Sequence, residues 1–349
     1  MRRTRAKKLP AFICLIIIFS ASISSSCNGS KQEAKTTDTD STQKSAANAA
    51  PQKTIDTAEY NRKMLYLSNG DTTGKWPVKN APYPLPGAIM PFNRIVAYYG
   101  NLYSKRMGAL GEFPKAEMLK RLMNEVNRWS AADTVIKSIP ALHYICMTAQ
   151  LAPGKDGKYR YRMPFGQIDT IINWAKEINA LVFIDVQVGF STLPEELPLL
   201  EKYLSMPNVH LGVDPEFALA TKGKRPGTVV GTYDAKDINY ATGYLADLVK
   251  KNNIPPKILI VHRFTKGMFT NYQDVKLRSE VQVVMDMDGW GPPAKKLSTY
   301  YSWIAPQPVQ FTGFKIFYKN DTERSGAKQI MQPADVLNLK PKPIYIQYQ

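Results

Sequence analysis

Cysteine and histidine are both scarce in this chain, and their scarcity excludes several kinds of site. There are three of each, and two cysteines, Cys14 and Cys27, fall in the N-terminal leader. Only Cys146 is left for the folded part, which therefore has no disulfide framework and no cysteine-based metal site. The histidines form no His-x-His motif, which argues against a metal-dependent barrel of the amidohydrolase type.

Several motifs and one charge pattern are missing as well. The chain has no Gly-x-Ser-x-Gly nucleophile elbow and no kinase or P-loop motif. The formal net charge is +17, yet no run of five or more basic residues follows residue 8. Scattered lysines and arginines are typical of a solvated surface, so we expect no nucleic acid partner.

The N-terminus has the pattern of an export signal. Basic residues occupy positions 2–8, an apolar run covers 11–23, and Ser-Ser-Ser-Cys follows at 24–27. The apolar run is too short to span a bilayer, and small residues precede a cleavage point, which predicts a signal peptide over residues 1–26. The end of this segment resembles a bacterial lipobox, although Ser24 stands where a Leu-like residue is usual.

That resemblance implies that Cys27 is acylated and becomes the mature N-terminus. The acyl chains would hold the protein at a membrane of the cell envelope, with the outer membrane or the cell surface as the expected location. Ordinary cleavage with release of the protein is the alternative.

The remaining chain divides into three parts. Residues 27–58 are rich in Ser, Thr, Ala, Lys and Gln and cannot bury enough apolar surface to fold, so we expect a flexible tether. The Pro-rich segment 59–88 is predicted to be an extended arm that packs on the folded domain. Residues 89–349 are predicted to form one domain.

Apolar runs and helical patterns alternate along that domain, which indicates right-handed parallel crossovers. Eight such runs predict a (β/α)8 TIM barrel, and the last run has no helix after it. The rival is an open doubly wound sheet, but no Gly-rich phosphate turn follows an early run. The predicted strands cover residues 94–99, 142–148, 181–187, 209–214, 257–262, 281–288, 311–318 and 344–349.

Polar residues stand repeatedly at the ends of these apolar runs. The fourth run ends in Asp214 and Glu216, which share one face if the strand continues through both residues. In barrel enzymes the site lies at the C-terminal ends of the strands, so we expect these side chains to gather at the barrel mouth. The other polar strand-end residues are Asp185, Gln187, His262, Arg263, Asp286, Asp288, Lys315 and Gln347.

A mouth rich in carboxylates and poor in histidine favours cleavage of a glycosidic bond. One carboxylic acid protonates the leaving oxygen, and a second carboxylate acts as a nucleophile or activates water. We predict Glu216 as the general acid, crowded by Asp214 and Asp288, with Asp286 or Asp288 as the second carboxylate. The predicted carbohydrate-binding residues are Asp185, Gln187, His262, Arg263, Trp290, Lys315, Gln347 and Tyr98.

Two alternatives are left open by this pattern. A divalent metal held by Asp185, Asp214, Glu216 and Asp286 would also suit clustered carboxylates, although we expect no cofactor. A non-catalytic surface lipoprotein could use the same mouth to bind a glycan. In every case we expect a monomer.

Residues 180–349 also carry a set of motifs. These are Asp214-Pro215-Glu216-Phe217, His262 with Phe264, Asp288-Gly289 with Gly291, and the terminal Tyr348-Gln349. The combination resembles a family of secreted bacterial lipoproteins with a glycoside-hydrolase-like TIM barrel. That family usually has Trp and Gln where this chain has Phe217 and Arg263, and we expect this difference to alter the substrate contacts. The resemblance implies a common site more than a named reaction.

Overall fold

A computed structural model describes residues 54–79 and 81–349 of the chain. The expected signal peptide, Cys27 and nearly all of the expected tether lie outside the described residues. Across the ranges that are described, no helix combines the length and the apolar character needed to cross a bilayer.

Eight parallel strands form a closed barrel, which confirms the predicted (β/α)8 fold. Each strand pairs in parallel with the next one along the chain, and the last strand pairs with the first. This closure excludes the rival open sheet, which would have two unpaired edges. The strands are β1 (Asn93–Gly100), β2 (Lys137–Ala149), β3 (Leu181–Val186), β4 (Val209–Val213), β5 (Lys257–Arg263), β6 (Val281–Met287), β7 (Phe311–Ile316) and β8 (Tyr345–Tyr348).

Helices of unequal length alternate with these strands. A 3-10 turn joins two of them at Leu197–Leu200, and a π turn extends another at Tyr300–Ile304. In the described part of the chain no helix follows β8. The helices are α1 (Thr57–Leu67), α2 (Ala109–Glu112), α3 (Lys115–Ala132), α4 (Phe165–Glu177), α5 (Leu193–Glu196), α6 (Glu201–Leu204), α7 (Ala235–Asn252), α8 (Pro293–Thr299) and α9 (Pro333–Leu337).

Helix α7 shows how the sequence sets the bounds of a helix. The Asp234 side chain accepts a hydrogen bond from the first turn, and Asp237 bonds back to the Asp234 backbone, so together they form a capping box. At the other end Asn253 has a φ of 48°, in the left-handed region that ends helices. Residues Asp234 and Asn253 therefore account for both ends of the helix.

The two faces of each barrel strand have different surroundings. In β1, Val96 and Tyr98 belong to the core between strands and helices, whereas Ile95 and Ala97 belong to a second core inside the barrel. Side chains of successive residues point to opposite faces, so this alternation follows from the strand itself. The interior core includes Phe183, Ile260, Val284, Phe311 and Tyr345. This apolar core lies below the polar residues at the C-terminal ends of the strands.

The segment predicted as an extended arm begins with a helix instead. Asp56 caps α1 by accepting a hydrogen bond from the Glu59 backbone N–H at 2.9 Å. Tyr60, Met64 and Leu67 then fall on one helical face and pack into the interior core at the N-terminal end of the barrel. Helix α1 therefore covers the floor of the barrel.

We expect Met64→Ala to lower the free energy of unfolding by about 2–5 kcal/mol, because the change leaves a cavity against the barrel floor. Urea denaturation measures the loss. Leu65→Ala is the matched control on the same helix, since the Leu65 side chain is exposed and Met64 is buried. The control is expected to change stability by less than about 0.5 kcal/mol. Equal effects of the two variants would show that α1 does not seal the floor.

Candidate active site

Asp214 and Glu216 follow β4 directly, but only Asp214 continues the strand. Asp214 has extended backbone, and its Oδ1 accepts a hydrogen bond from the Glu216 backbone N–H at 3.1 Å. Pro215 has a fixed φ and begins a 3-10 turn over Pro215–Phe217. The two carboxyls are therefore brought together by a capped turn, and this differs from the predicted strand register.

A cavity of about 410 Å³ opens above these residues at the C-terminal end of the barrel. Asp214 and Glu216 form part of its wall, opposite residues that follow β6 and β7. Four further residues predicted for the site also line it, namely Gln187, Asp288, Trp290 and Lys315. The wall also contains Phe217, Phe264 and Gln349, which belong to the motifs of the sequence analysis. It further contains Tyr99, Arg106, Lys295 and Phe317, which were not predicted for the site.

Four other predicted residues lie out of contact with the cavity. Asp185, His262, Asp286 and Gln347 are completely buried and are not part of its wall. The prediction of Asp286 as a catalytic carboxylate is corrected by this position, because a substrate in the cavity cannot reach it. The same burial argues against direct substrate contact by Asp185, His262 and Gln347.

His262 is the centre of the buried polar group. Its Nε2 lies 3.1 Å from Asp185 Oδ2, and its Nδ1 lies 3.2 Å from Asp286 Oδ2 and 3.6 Å from Asp288 Oδ2. Burial lowers the pKa of His262 because it disfavours the charged imidazolium. Asp185 raises this pKa, and Asp286 and Asp288 raise it further. Together the carboxyls raise the pKa of His262 well above its ordinary value, so both ring nitrogens donate.

Asp185 shows the complementary effect. Burial opposes its ionisation, yet His262 and His143 outweigh burial and hold the pKa of the Asp185 carboxyl well below its usual range. Burial lowers the pKa of His143 to about 4, so this second ring is neutral near pH 7. Its Nδ1 accepts a hydrogen bond from Gln347 Nε2 at 3.0 Å, which orients the other nitrogen toward Asp185.

Lys315 is a second cation near Asp288 and, unlike His262, belongs to the cavity wall. Its Nζ lies 2.8 Å from Asp288 Oδ1 and 3.9 Å from the centre of the Tyr99 ring. Burial and the facing carboxylates raise the pKa of Tyr99 well above its ordinary value. Asp288 thus has a lysine on one side and His262 on the other, and its side chain is 9% exposed at the cavity.

Within the described ranges, no cation forms an ion pair with Asp214 or Glu216. Burial, followed by the charge of Asp288, raises the pKa of Glu216 to about 7. Burial raises the pKa of Asp214 well above its ordinary value, and Glu216 adds to the effect. The Asp214 Oδ2 accepts a hydrogen bond from Gln187 Nε2 at 3.4 Å. Two carboxyl groups with raised pKa thus border an open cavity.

The prediction that Arg263 and Tyr98 bind substrate is wrong, because both side chains face away from the barrel interior. Arg263 follows the inward-facing His262, and its guanidinium donates to the backbone oxygens of Thr265 and Lys266. The Tyr98 hydroxyl lies 2.9 Å from the Tyr318 hydroxyl on the outer face of β1. The alternation of the strand places the neighbouring Tyr99 in the cavity, and this period of two is the signal that would have identified it.

The four carboxylates predicted for a divalent metal are divided between two places. Asp185 and Asp286 contact His262 below the cavity, whereas Asp214 and Glu216 line it. A different group offers ligand atoms within 4.8 Å of one another, namely His143, Asp185 and His262. Both His262 nitrogens face carboxylates there, which fits a protonated ring, and a metal would require the neutral ring.

No family model matches the sequence, and no curated protein matches it. Among solved structures, the chain is similar to a GH5 xyloglucan-specific endo-beta-1,4-glucanase from a metagenomic library, in complex with cellotriose. The identity is 12%, the TM-score is 0.32, and 65% of this chain and 77% of that chain are covered.

A GH5-4 broad specificity endoglucanase from an uncultured bacterium is similar at 9% identity and a TM-score of 0.32, with 64% and 76% of the two chains covered. Likenesses of this strength carry no argument about function, and the barrel is established by its strand pairing.

Asp185→Asn is expected to lower the stability by about 3 kcal/mol, because His262 loses the main partner of its charge. Asp185 has a lowered folded pKa, so its contribution is present above about pH 4 and is lost in acid. His262 has a raised folded pKa, so its contribution is complete below about pH 6.5 and declines as the pH rises. The difference between wild type and variant should therefore be largest between these two values.

Denaturation of both proteins at a series of pH values measures this difference in the free energy of unfolding. NMR titration of the His262 ring should show a lower pKa in the variant. Asp169→Asn is the control, since the Asp169 side chain is 49% exposed. An unchanged His262 titration in Asp185→Asn would contradict the proposed pairing.

Proposed function

We propose that this protein is an exported, lipid-anchored glycoside hydrolase that cleaves a carbohydrate by carboxylate acid/base catalysis. The observation that carries the proposal is Glu216. This half-buried carboxyl at the cavity wall has its pKa raised to about 7 and lies near the ion-paired Asp288. A protonated acid and an ionised carboxylate around one cavity are the two groups that glycosidic cleavage needs.

Glu216 is the general acid in this proposal. With a pKa of about 7, roughly half of the Glu216 side chains carry a proton at neutral pH, and that proton can be released to a substrate. It donates that proton to the glycosidic oxygen as the bond from the sugar carbon to that oxygen breaks. The capped turn at Asp214 fixes the Glu216 backbone, so Asp214 acts as a positioning residue.

Asp288 is the second carboxylate. It lines the same cavity, whereas Asp286 is buried below it. Lys315 and His262 face Asp288 from two sides, which holds its carboxylate in place. Asp288 would attack the sugar carbon directly or remove a proton from the attacking water, and the distance to Glu216 in the substrate complex selects between the two.

Aromatic side chains in the wall support a sugar as the substrate. Trp290 is 41% exposed beside Gly289, and Phe217, Phe264 and Phe317 also line the cavity. An exposed aromatic face matches the apolar face of a sugar ring, while the carboxyls bind its hydroxyl groups. A non-catalytic glycan-binding protein would use the same features without turnover.

Glu216→Gln is expected to reduce kcat by about 100- to 10,000-fold, because the amide cannot supply the proton. In the wild type, kcat/KM should fall roughly tenfold for each pH unit above about 7, as Glu216 loses its proton. Release of reducing ends from a panel of soluble polysaccharides measures both effects. Glu177→Gln is the control, since Glu177 is an exposed residue of α4 that pairs with Lys115.

Three outcomes separate the proposal from its alternatives. Wild-type protein that binds a glycan without cleaving any would establish a binding protein. Loss of activity with a chelator, restored by a divalent ion, would establish a metal hydrolase. Full activity of Glu216→Gln would contradict its role as the acid.

The anchor is a separate part of the proposal and depends on Cys27, which lies outside the described residues. We expect Cys27→Ser to move the protein from the membrane fraction to the soluble fraction and to abolish incorporation of labelled fatty acid. Cys14→Ala is the matched control, since it changes a leader cysteine and keeps the apolar run. A Cys27→Ser protein that stays with the membrane would contradict acylation at this residue.

A further inference from the structure

A second cavity adjoins the active-site cavity and shares part of its wall. The second space has a volume of about 240 Å³ and shares Arg106, Phe317 and Gln349 with the first. It lies between the loop after β1 and the loop after β7. The two neighbouring cavities are here together called the cationic groove.

Basic side chains dominate the part of this groove that is remote from Glu216. Lys105, Arg106, Lys319 and Arg324 line the second cavity, against Glu112 and Glu323. Lys319 is paired with Glu112. Within residues 54–79 and 81–349, no carboxylate lies within 4.0 Å of the side-chain nitrogens of Lys105, Arg106 or Arg324, so these charges are available to a ligand.

A further cation borders the active-site cavity itself. The Lys295 Nζ lies 4.7 Å from the centre of the Trp290 ring, and no described carboxylate forms an ion pair with it. A sugar stacked against the exposed part of Trp290 would bring a substituent close to this ammonium group. A cation therefore lies beside Trp290 in the active-site cavity, in addition to those in the second cavity.

We propose that the cationic groove binds an anionic glycan, whose carboxylate or sulfate groups contact Arg106, Arg324 and Lys295 on either side of the cleaved bond. The identity of the ligand as a glycan rests on the proposed function. Arginine is suited to such groups because its guanidinium binds planar and tetrahedral oxyanions through two N–H donors.

The arrangement of charge favours a glycan over a nucleic acid. The groove leads to Asp214, Glu216 and Asp288, and the Asp288 carboxylate would repel a phosphate at the reaction centre. A glycan presents a neutral acetal oxygen to the acids and can carry its negative groups on neighbouring rings. A nucleic acid has a charge at every backbone linkage and cannot avoid this repulsion.

Calorimetric titration of the Glu216→Gln protein tests this inference without turnover. The probes are polygalacturonate, alginate and heparin as anionic glycans, xylan and xyloglucan as neutral ones, and single-stranded DNA. We expect at least one anionic glycan to bind about tenfold more tightly than either neutral glycan at low salt, and the advantage to shrink as salt rises. Carboxylate and sulfate sources are distinguished by which of the three probes binds.

Charge reversal identifies the residues. Arg106→Glu and Arg324→Glu, each added to Glu216→Gln, should weaken the anionic glycan at least about fivefold, because an attraction becomes a repulsion. Lys137→Glu is the matched control, since Lys137 is exposed at the opposite end of the barrel. Arg106→Gln provides a milder variant, expected to show a smaller loss, should the reversal fail to fold.

Several results would overturn the inference. They are equal or tighter binding of a neutral glycan or of DNA, no binding by any anionic probe, and equal effects of Lys137→Glu and Arg106→Glu. Its failure can be told apart from failure of the proposed function. Cleavage of neutral glycans alone by the wild type would support the hydrolase and overturn the anionic ligand. Binding of an anionic glycan by the wild type without cleavage would support the anionic ligand and overturn the hydrolase.

Discussion

The His262 imidazolium lies between Asp185 and Asp286 at the C-terminal end of the barrel, and the rest of the site depends on this contact. Burying a charge is costly unless an opposite charge faces it. His262 and Lys315 are the cations at this level, and they face Asp185 and Asp288. The pKa is raised at Asp214 and Glu216, which lack such a partner, and also at Asp286, where burial outweighs the contact with His262.

This imbalance has a chemical consequence. An acid that must be protonated near neutral pH needs burial and a neighbouring carboxylate, and Glu216 has both at the barrel mouth. The roles of these residues differ because some are buried below the cavity and others border it. Asp185, His262 and Asp286 are sealed below the cavity and can only hold charge and position, whereas Glu216 and Asp288 border the cavity and can touch a substrate.

The charge of the groove changes sign with distance from this centre. Acids surround the reaction point, while the remote cavity is lined by Lys105, Arg106 and Arg324, which have no carboxylate partner in the described part of the chain. A ligand that is neutral at the cleaved bond and negative on its neighbouring units fits both regions. Trp290 with Lys295 combines an aromatic surface and a cation in the same way on a smaller scale.

Some of the site could be predicted because it follows from position along single strands. Polar residues at strand ends must meet at one mouth once a parallel barrel closes, and this brought Gln187, Asp214, Asp288 and Lys315 to one cavity wall. Arg263 and Tyr98 were assigned to the wrong side because one residue of strand register reverses the direction of a side chain. Neighbouring strands settle that register, and the pattern within one strand does not.

The sequence by itself determined the eight-stranded barrel and the ends of α7, since apolar periodicity and capping residues are local properties. Tertiary structure decided that Glu216 lies in a turn, that α1 seals the floor, and which carboxyls ionise. Burial and the distances to His262 and Lys315 set the pKa of each acid, and those distances join residues far apart in the chain. Local patterns contain no such distances, so the chemistry of the mouth emerges only when the barrel is closed.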